Sequence, residues 1–213
     1  MVSVPEMIEL LAQVDPKYDP RGMQQRYFTF ALFDSRNGLL GRSLEGVDRQ
    51  QLYQAVRAGL RNDDGRARSD FASVYRNLSD DEIKPLLPAI LRAAVEPAPS
   101  GEMFADGIRV EGLRALARHH VAEGIRACVD YIRTQNPWAS EHRTPDLTKI
   151  LVSYGAHAKS VVPDLERIAD HFAAGEPDFP KNLSLQKAAA IREAIREIEA
   201  SNDQQELIRI NGE

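Results

Sequence analysis

Residues Asp64–Leu91 read DGRARSDFASVYRNLSDDEIKPLLPAIL, and residues Asp106–Arg133, 42 positions later, read DGIRVEGLRALARHHVAEGIRACVDYIR. Both stretches open with Asp-Gly and carry apolar residues at matching positions. The matched pairs are Phe71 and Leu113, Val74 and Leu116, Ile83 and Ile125, Leu87 and Val129, and Ile90 and Ile132. Each stretch has room for two short helices, and a helix pair that returns at this period predicts an α-helical repeat protein.

Apolar spacing predicts helices along most of the chain. The apolar residues of Ile83–Ala94 fall on one stripe of a helix. A third copy of the pair places Leu147 and Ile150 where the first two copies have their apolar residues, and a weaker copy with Phe30 and Phe33 precedes them. No stretch alternates apolar and polar residues as a strand would. The predicted fold class is therefore all-α, with about four helix pairs.

The flanks of the repeats predict three sections of one structural domain. Residues 1–20 hold a short helix over Val4–Val14 and a linker, and residues 21–173 hold the repeats. Residues 174–213 hold a second linker, a helix over Ser184–Ala200 and a tail, Asn202–Glu213. We expect this tail to fray, with docking of Leu207, Ile208 and Ile210 onto a partner as the alternative. The helix of this last section has one apolar and one charged face, which suits a terminal unit that caps a repeat array.

Composition excludes several classes of protein. The chain has 27 Lys and Arg against 32 Asp and Glu, and its net charge of -5 argues against a general nucleic-acid binder. A single cysteine, Cys128, excludes a disulfide framework and a multi-cysteine zinc site. No apolar run is long enough to span a bilayer, and Met1–Gln13 lacks the basic start of a secretory signal. Composition indicates neither a compartment nor a function.

Two features of the helix pairs recur in a known family. The first helix of one pair reads Arg-Val-Glu-Gly-Leu-Arg-Ala-Leu over Arg109–Leu116, and a second helix opens with Leu-Leu-Pro at Leu86–Pro88. Over Arg21–Phe172 the chain thereby resembles the HEAT family of armadillo-type helical repeats. The resemblance implies an α-α superhelix, or HEAT-like solenoid, of about four helix pairs with a C-terminal capping helix. The alternative is a non-repetitive helical bundle whose periods coincide.

Two further segments carry a narrower resemblance. Gln135–Ser140 and Tyr154–Lys159 are similar to the C-terminal helical segment of large uncharacterised bacterial proteins, some of which have a PDZ-like domain upstream. This resemblance implies that the chain is part of a longer protein. It implies no activity.

The sequence contains no coherent catalytic or metal-binding set. The adjacent His119 and His120 would point about 100° apart on a helix and cannot readily bind one metal ion. His119 and Glu123 supply two ligands only, so we expect a histidine at the turn between two helices instead. Cys128 lies on an apolar stripe and is expected in the core. We therefore predict no enzyme, no cofactor and no metal.

Basic residues recur at one register of the second helices. Lys84, Arg126 and Lys159 stand at the start of three successive second helices, and Arg92 and Arg167 stand two turns later. Because second helices line the concave surface of HEAT-like solenoids, the resemblance implies that these five residues, the basic ladder, face a groove. We predict that the groove binds an acidic peptide segment or another polyanion. The alternative is a solvated surface on which acidic residues balance the charge.

A second candidate site lies in the predicted loop after Asn136-Pro137. The Trp138 cluster consists of Trp138, Glu141, His142 and Arg143. An indole beside charged groups can anchor a ligand or a peptide. The alternative is an apolar plug over the seam between two repeats.

The repeat pattern favours a non-catalytic scaffold that binds a protein or a peptide along a groove. The alternative from another class is a HEAT-like DNA glycosylase or another enzyme that acts on nucleic acid. Such an enzyme needs a strongly basic face and aromatic residues at the lesion, whereas the net charge is -5 and aromatic residues make up 7%. A purely structural spacer within a larger protein is the third interpretation.

Overall fold

The computed structural model describes residues 3–13, 15, 17–34, 38–40, 44–135 and 143–210. These residues form eleven α-helices and several short 3₁₀ helices, with no β-strand among them, so the predicted all-α class is confirmed. The chain divides into two compact units, the described residues up to Ala115 and Leu116–Ile210. The predicted single domain and its HEAT-like superhelix stay predictions.

The first unit consists of short helices joined by turns. Its α-helices are α1 (Val4–Ala12), α2 (Met23–Phe33), α3 (Arg49–Leu60), α4 (Gly65–Asp70), α5 (Asp80–Ile83), α6 (Leu87–Val95) and α7 (Asp106–Arg118), which continues past Ala115. Its 3₁₀ helices are Phe71–Asn77, Lys84–Leu86 and Glu102–Phe104. None of the helices described in either unit combines the length and the apolar character that crossing a bilayer requires.

Helix starts in the first unit agree with the sequence signals. The Asp64 carboxylate accepts hydrogen bonds from the backbone N–H groups of Arg66 and Ala67, each at 3.0 Å, at the Asp-Gly that predicted a helix start. Ser79 and Glu82, three positions apart, form a capping box in which the Glu82 carboxylate accepts the Ser79 N–H at 2.9 Å. Local side-chain chemistry therefore determines these helix boundaries.

Helix α2 packs in a way that its sequence does not indicate. Phe33 is buried, but Phe30 is 60% exposed, while Gln25 and Thr29 occupy buried positions. The Thr29 hydroxyl donates to the Gln25 carbonyl at 2.7 Å, and Gln25 Nε2 donates to the Leu11 carbonyl at 3.4 Å. Because these buried polar groups have partners, α2 can turn a polar side inward and leave apolar side chains on the surface.

Four α-helices lie wholly within the described part of the second unit. They are α8 (Ala122–Arg133), α9 (Arg143–Val152), α10 (Val162–Ala174) and α11 (Lys181–Ala200), with a 3₁₀ helix over Gly155–Val161. Helix α11 packs against α9 and α10, and α8 packs against α9. Fully buried Leu147, Leu165 and Ile191 lie in the core that these helices share. The predicted helix over 184–200 is confirmed and begins three residues earlier, whereas its role as a cap stays a prediction.

The segment after α11, the tail Ser201–Ile210, corrects the prediction that it frays. The Ile208 N–H donates to the His120 carbonyl at 2.9 Å, and the Ile208 carbonyl accepts the Ala122 N–H at 2.9 Å. These bonds hold the tail against the turn between α7 and α8. Sequence patterns do not register them, because they join backbone atoms that every residue carries.

Candidate functional site

Two helices of the second unit direct charged residues toward each other. On α8, Arg126, Asp130 and Arg133 recur at i, i+4 and i+7 and share one helix face. On α10, Asp164 and Arg167 stand three residues apart near the start of the helix. Helical spacing thus gathers five charged side chains, which we term the Asp164 cluster.

Three arginines meet at Asp164. Arg126 Nη1 donates to Asp164 Oδ2 at 2.7 Å, Arg167 Nη2 donates to Asp164 Oδ1, and Arg133 Nη2 lies 3.7 Å from Oδ1. Partial burial tends to raise the pKa of Asp164, but the hydrogen bonds and charges of Arg126 and Arg167 outweigh burial and lower that pKa below its usual value. Asp164 is therefore ionised at neutral pH and orients the arginines.

Asp130 is the second carboxylate of the cluster. It takes a bidentate pair from Arg126, with Nη2 2.9 Å from Oδ1 and Nε 3.1 Å from Oδ2, and Arg133 Nη1 lies 3.3 Å from Oδ1. The hydrogen bond and charge of Asp130, and then those of Asp164, raise the pKa of Arg126. Three arginines face two aspartates, so the cluster keeps an excess positive charge, and the Arg167 side chain is 76% exposed.

A groove of about 540 Å³ opens beside the cluster. Its lining residues are Arg133, Asp164, Arg167, Ile168 and His171. Guanidinium groups that carboxylates already orient are good donors for another carboxylate or a phosphate, because their planar donor pairs match those groups. The groove can therefore receive an anionic side chain, with an apolar contact at Ile168.

Part of the basic ladder meets in the Asp164 cluster beside this groove, although only Arg167 of the ladder lines the groove itself. Arg126 and Arg167 are brought together in the Asp164 cluster, whereas Lys159 is exposed and forms no ion pair with the described residues of the second unit. Sequence reasoning missed Arg133 as a member of the site. The signal that could have found Arg133 is its i, i+7 spacing from Arg126 on one helix face.

The two ladder members of the first unit have acidic neighbours on the same stretch of chain. Lys84 Nζ donates to Asp81 Oδ1 at 2.8 Å, and Arg92 Nε lies 3.9 Å from Glu96 Oε2. These contacts favour the alternative of a charge-balanced surface at those two positions. A ladder that runs through both units stays a prediction.

Three of the four members of the Trp138 cluster lie outside the described residues: Trp138, Glu141 and His142. The fourth member, Arg143, begins α9 and donates from Nη1 to Gln135 Oε1 at 2.9 Å. A peptide anchor at this loop stays a prediction.

His119, His120 and Cys128 lie where the sequence predicts them, in a turn and in the core. His119 and His120 lie in the turn after α7, where His120 has a φ of +53° in the left-handed region. Cys128 is fully buried, its thiol lies 3.3 Å from the Leu147 carbonyl, and burial raises the pKa of the thiol far above its usual range. A thiol in this state is a poor nucleophile. Within the described ranges there is no group of three or more potential metal ligands.

Lys187 is a buried cation that sequence reasoning missed. Its side chain is 3% exposed, its ammonium donates to the Gln135 carbonyl, and Nζ lies 4.0 Å from the centre of the Phe172 ring. Burial lowers the pKa of Lys187 to about 8, while the charge of Glu176 opposes this shift and that of Arg143 adds to it. The sequence offers no signal for this burial, because lysine is common on helix surfaces.

Replacing Lys187 by Met is expected to raise the free energy of unfolding at pH 7 by about 1–2 kcal/mol, since a charge held out of water is removed. The folded-state pKa of about 8 lies below the unfolded value of 10.5, so the unfolded chain binds more protons between these values. Wild-type stability therefore gains from rising pH in this window, and the advantage of the variant should shrink between pH 8 and pH 10. Urea unfolding at several pH values measures both effects.

The exposed Lys159 supplies the control for this experiment. Lys159→Met should leave the free energy of unfolding and its pH dependence close to the wild-type values. If both variants followed the same pH dependence, the buried charge of Lys187 would have no part in stability.

The protein is thus all-α in fold, and its candidate site is an arginine-lined groove. No family model matches the chain. Neither the curated proteins nor the solved structures include a significant match to it.

Proposed function

We propose that the chain is a non-catalytic, HEAT-like helical-repeat module that binds an acidic segment of another protein. The Asp164 cluster carries this proposal, because it holds three arginines in place with only two carboxylates. A partner carboxylate accepts hydrogen bonds from Arg133 and Arg167, and an apolar neighbour of that carboxylate packs on Ile168.

The charge of the groove favours an acidic protein segment over nucleic acid. Nucleic-acid binding draws its affinity from many phosphate contacts, and the cluster has an excess of one positive charge in a chain of net charge -5. A segment with a few carboxylates between apolar residues needs fewer cations. The groove of about 540 Å³, with Ile168 in its wall, suits a segment of that kind.

Reversing the charge of the groove tests the proposal. A fluorescein-labelled peptide of alternating Glu and Leu residues is expected to bind the wild-type chain, with an affinity that falls as salt rises. The double substitution Arg133→Glu/Arg167→Glu should raise the Kd at least about tenfold, because it places like charges opposite the peptide. Fluorescence anisotropy measures the Kd of each variant.

The matched control is Arg192→Glu on α11. Arg192 is also a surface arginine with a carboxylate partner, Asp170 Oδ1 at 2.9 Å, but it does not line the groove. The control should bind the peptide as the wild type does. Equal affinity for the peptide in all three chains would contradict the proposal. Salt-sensitive binding of duplex DNA that is tighter than binding of the peptide would favour the nucleic-acid alternative.

A further inference from the structure

The tail crosses the second unit as an extended chain. Helix α11 ends at Ala200, and Ser201 has extended backbone angles of φ -71° and ψ 137°. The Asp203 carbonyl then accepts the Ala156 N–H at 2.7 Å, and the Gln205 carbonyl lies 2.6 Å from His157 Nε2. The first half of the tail is thus held by the start of the 3₁₀ helix that precedes α10.

The second half of the tail pairs with the turn between α7 and α8. Ile208 forms an isolated parallel bridge with Val121, through the two 2.9 Å hydrogen bonds to the His120 carbonyl and the Ala122 N–H. The Ile210 N–H lies 3.3 Å from the Glu123 carboxylate. We term His120–Glu123 and Gly155–His157 together the tail seat.

Main-chain atoms account for most of this attachment. The side chains of Asn202–Glu206 are exposed, Leu207 and Ile210 are half-buried, and Ile208 is 42% exposed. A site that binds through backbone hydrogen bonds can bind any extended segment with a suitable side-chain pattern, as when a peptide adds a strand to a sheet edge. The tail is therefore bound in the manner of an exchangeable peptide.

Gly155 shows that the seat is shaped around the tail. Its φ is +58°, which L side chains rarely adopt, and a Cβ on Gly155 would lie 2.6 Å from the Asp203 carbonyl oxygen and 3.0 Å from Asp203 Cβ. Both its conformation and the close approach of the tail require glycine. The backbone of Gly155 thus leaves the space through which the tail passes.

A cavity of about 610 Å³ lies along the tail. Among its lining residues are Glu123, Arg126, His157, Ser160, Leu207 and Arg209. Leu207 and Arg209 belong to the tail itself, so the tail forms one wall of the cavity. Departure of the tail would open that wall to a longer segment.

We propose that the tail seat is a docking site for an extended segment of a partner protein, and that the tail occupies it as an internal, displaceable ligand. The tail specifies the chemistry of this partner segment: an extended stretch that offers backbone carbonyl groups at the positions of Asp203 and Gln205, followed by an apolar pattern like that of Leu207–Ile210, in which Leu207 and Ile210 are half-buried. The proposal goes beyond the arginine groove and does not depend on it, although Arg126 lines the cavity along the tail and also belongs to the Asp164 cluster.

The attachment of the tail is tested in the full chain by hydrogen exchange. Gly155→Ala should speed exchange of the Ala156 and Ala122 amides at least about tenfold, because the added Cβ displaces the Asp203 carbonyl. Gly175→Ala is the matched control: its φ of +83° is equally unsuited to L residues, but nothing lies within 4 Å of its Cβ. The control should leave the protection of both amides unchanged.

Displacement is tested with a labelled peptide of the tail sequence Asn202–Ile210. In the wild-type chain the tail competes at an effective concentration of about 1 mM, so the free peptide should bind weakly. Ile208→Pro removes the N–H that donates to His120 while leaving the seat intact, and it should bind the peptide at least about tenfold more tightly. Adding Gly155→Ala to this variant should abolish the gain.

The outcomes of the two experiments decide the proposal. Faster exchange in Gly155→Ala but not in Gly175→Ala, together with tighter peptide binding by Ile208→Pro, supports the proposal. Equal binding by wild type and Ile208→Pro, or unchanged exchange in Gly155→Ala, would overturn it. A stable dimer that exchanges tails, detected by light scattering, would also overturn it by making a second copy the occupant. Failure here would leave the Glu-Leu peptide experiment on the arginine groove unaffected.

Discussion

Replacing Phe172 by Ala is expected to lower the free energy of unfolding by about 3–5 kcal/mol, the largest effect among the substitutions proposed for this protein. The Phe172 side chain is 2% exposed, and its ring lies 4.0 Å from the buried ammonium of Lys187. Truncation leaves a cavity and also removes a partner of a charge that has little access to water. Urea unfolding followed by circular dichroism measures the change.

Phe30→Ala is the matched control, because Phe30 is 60% exposed on α2 and loses little buried surface. It should change the free energy of unfolding by no more than about 0.5 kcal/mol. In the double variant with Lys187→Met, the loss caused by Phe172→Ala should be smaller, since no buried charge then lacks its partner. Equal losses for Phe172→Ala and Phe30→Ala would show that the second unit does not pack around Phe172.

Replacing Gly59 by Ala is expected to lower the free energy of unfolding by about 2–3 kcal/mol, although alanine is the better helix former by about 1 kcal/mol. Gly59 lies within α3, and a Cβ there would lie 2.0 Å from two atoms of the Phe71 ring. Phe71 is fully buried, so its ring cannot move aside without displacing its neighbours. Thermal and urea unfolding of the purified variant test this expectation.

Gly107→Ala separates the effect of packing from that of helix propensity. Gly107 also lies in a helix, α7, but its added Cβ would be 3.5 Å from Ser69 Oγ, an ordinary contact. This variant should gain up to about 1 kcal/mol from the helix propensity of alanine. If Gly59→Ala were stabilised to the same extent, close packing of α3 against Phe71 would be disproved.

The helical class and several helix boundaries could be predicted from the sequence because their causes are local. Apolar residues three and four apart place one face of a helix toward a core, and Cys128 is buried on such a face. The capping box of Ser79 and Glu82 needs two residues three positions apart. Each of these signals acts within about one turn of helix, so the order of residues is sufficient to reveal it.

The candidate site was predictable only in part. Arg126 and Arg167 were found by their register, whereas their meeting at Asp164 depends on how α8 packs beside α10. The burial of Lys187 likewise depends on the position of the Gln135 carbonyl at the end of α8, 52 residues earlier in the chain. Helix periodicity describes each helix by itself and carries no information on which helices become neighbours.

The sequence by itself determined that this protein is helical, where several helices begin and which of their faces carry apolar residues. Tertiary structure alone decided which charges meet, which side of α2 is buried and where the tail lies. The Arg126–Asp164 contact joins residues 38 positions apart, and the tail pairs Ile208 with the backbone of Val121. The Arg126–Asp164 contact depends on which helices pack together, which a local pattern does not encode. The pairing of Ile208 with Val121 uses main-chain groups that are the same in nearly every residue, so it too leaves no local pattern in the sequence.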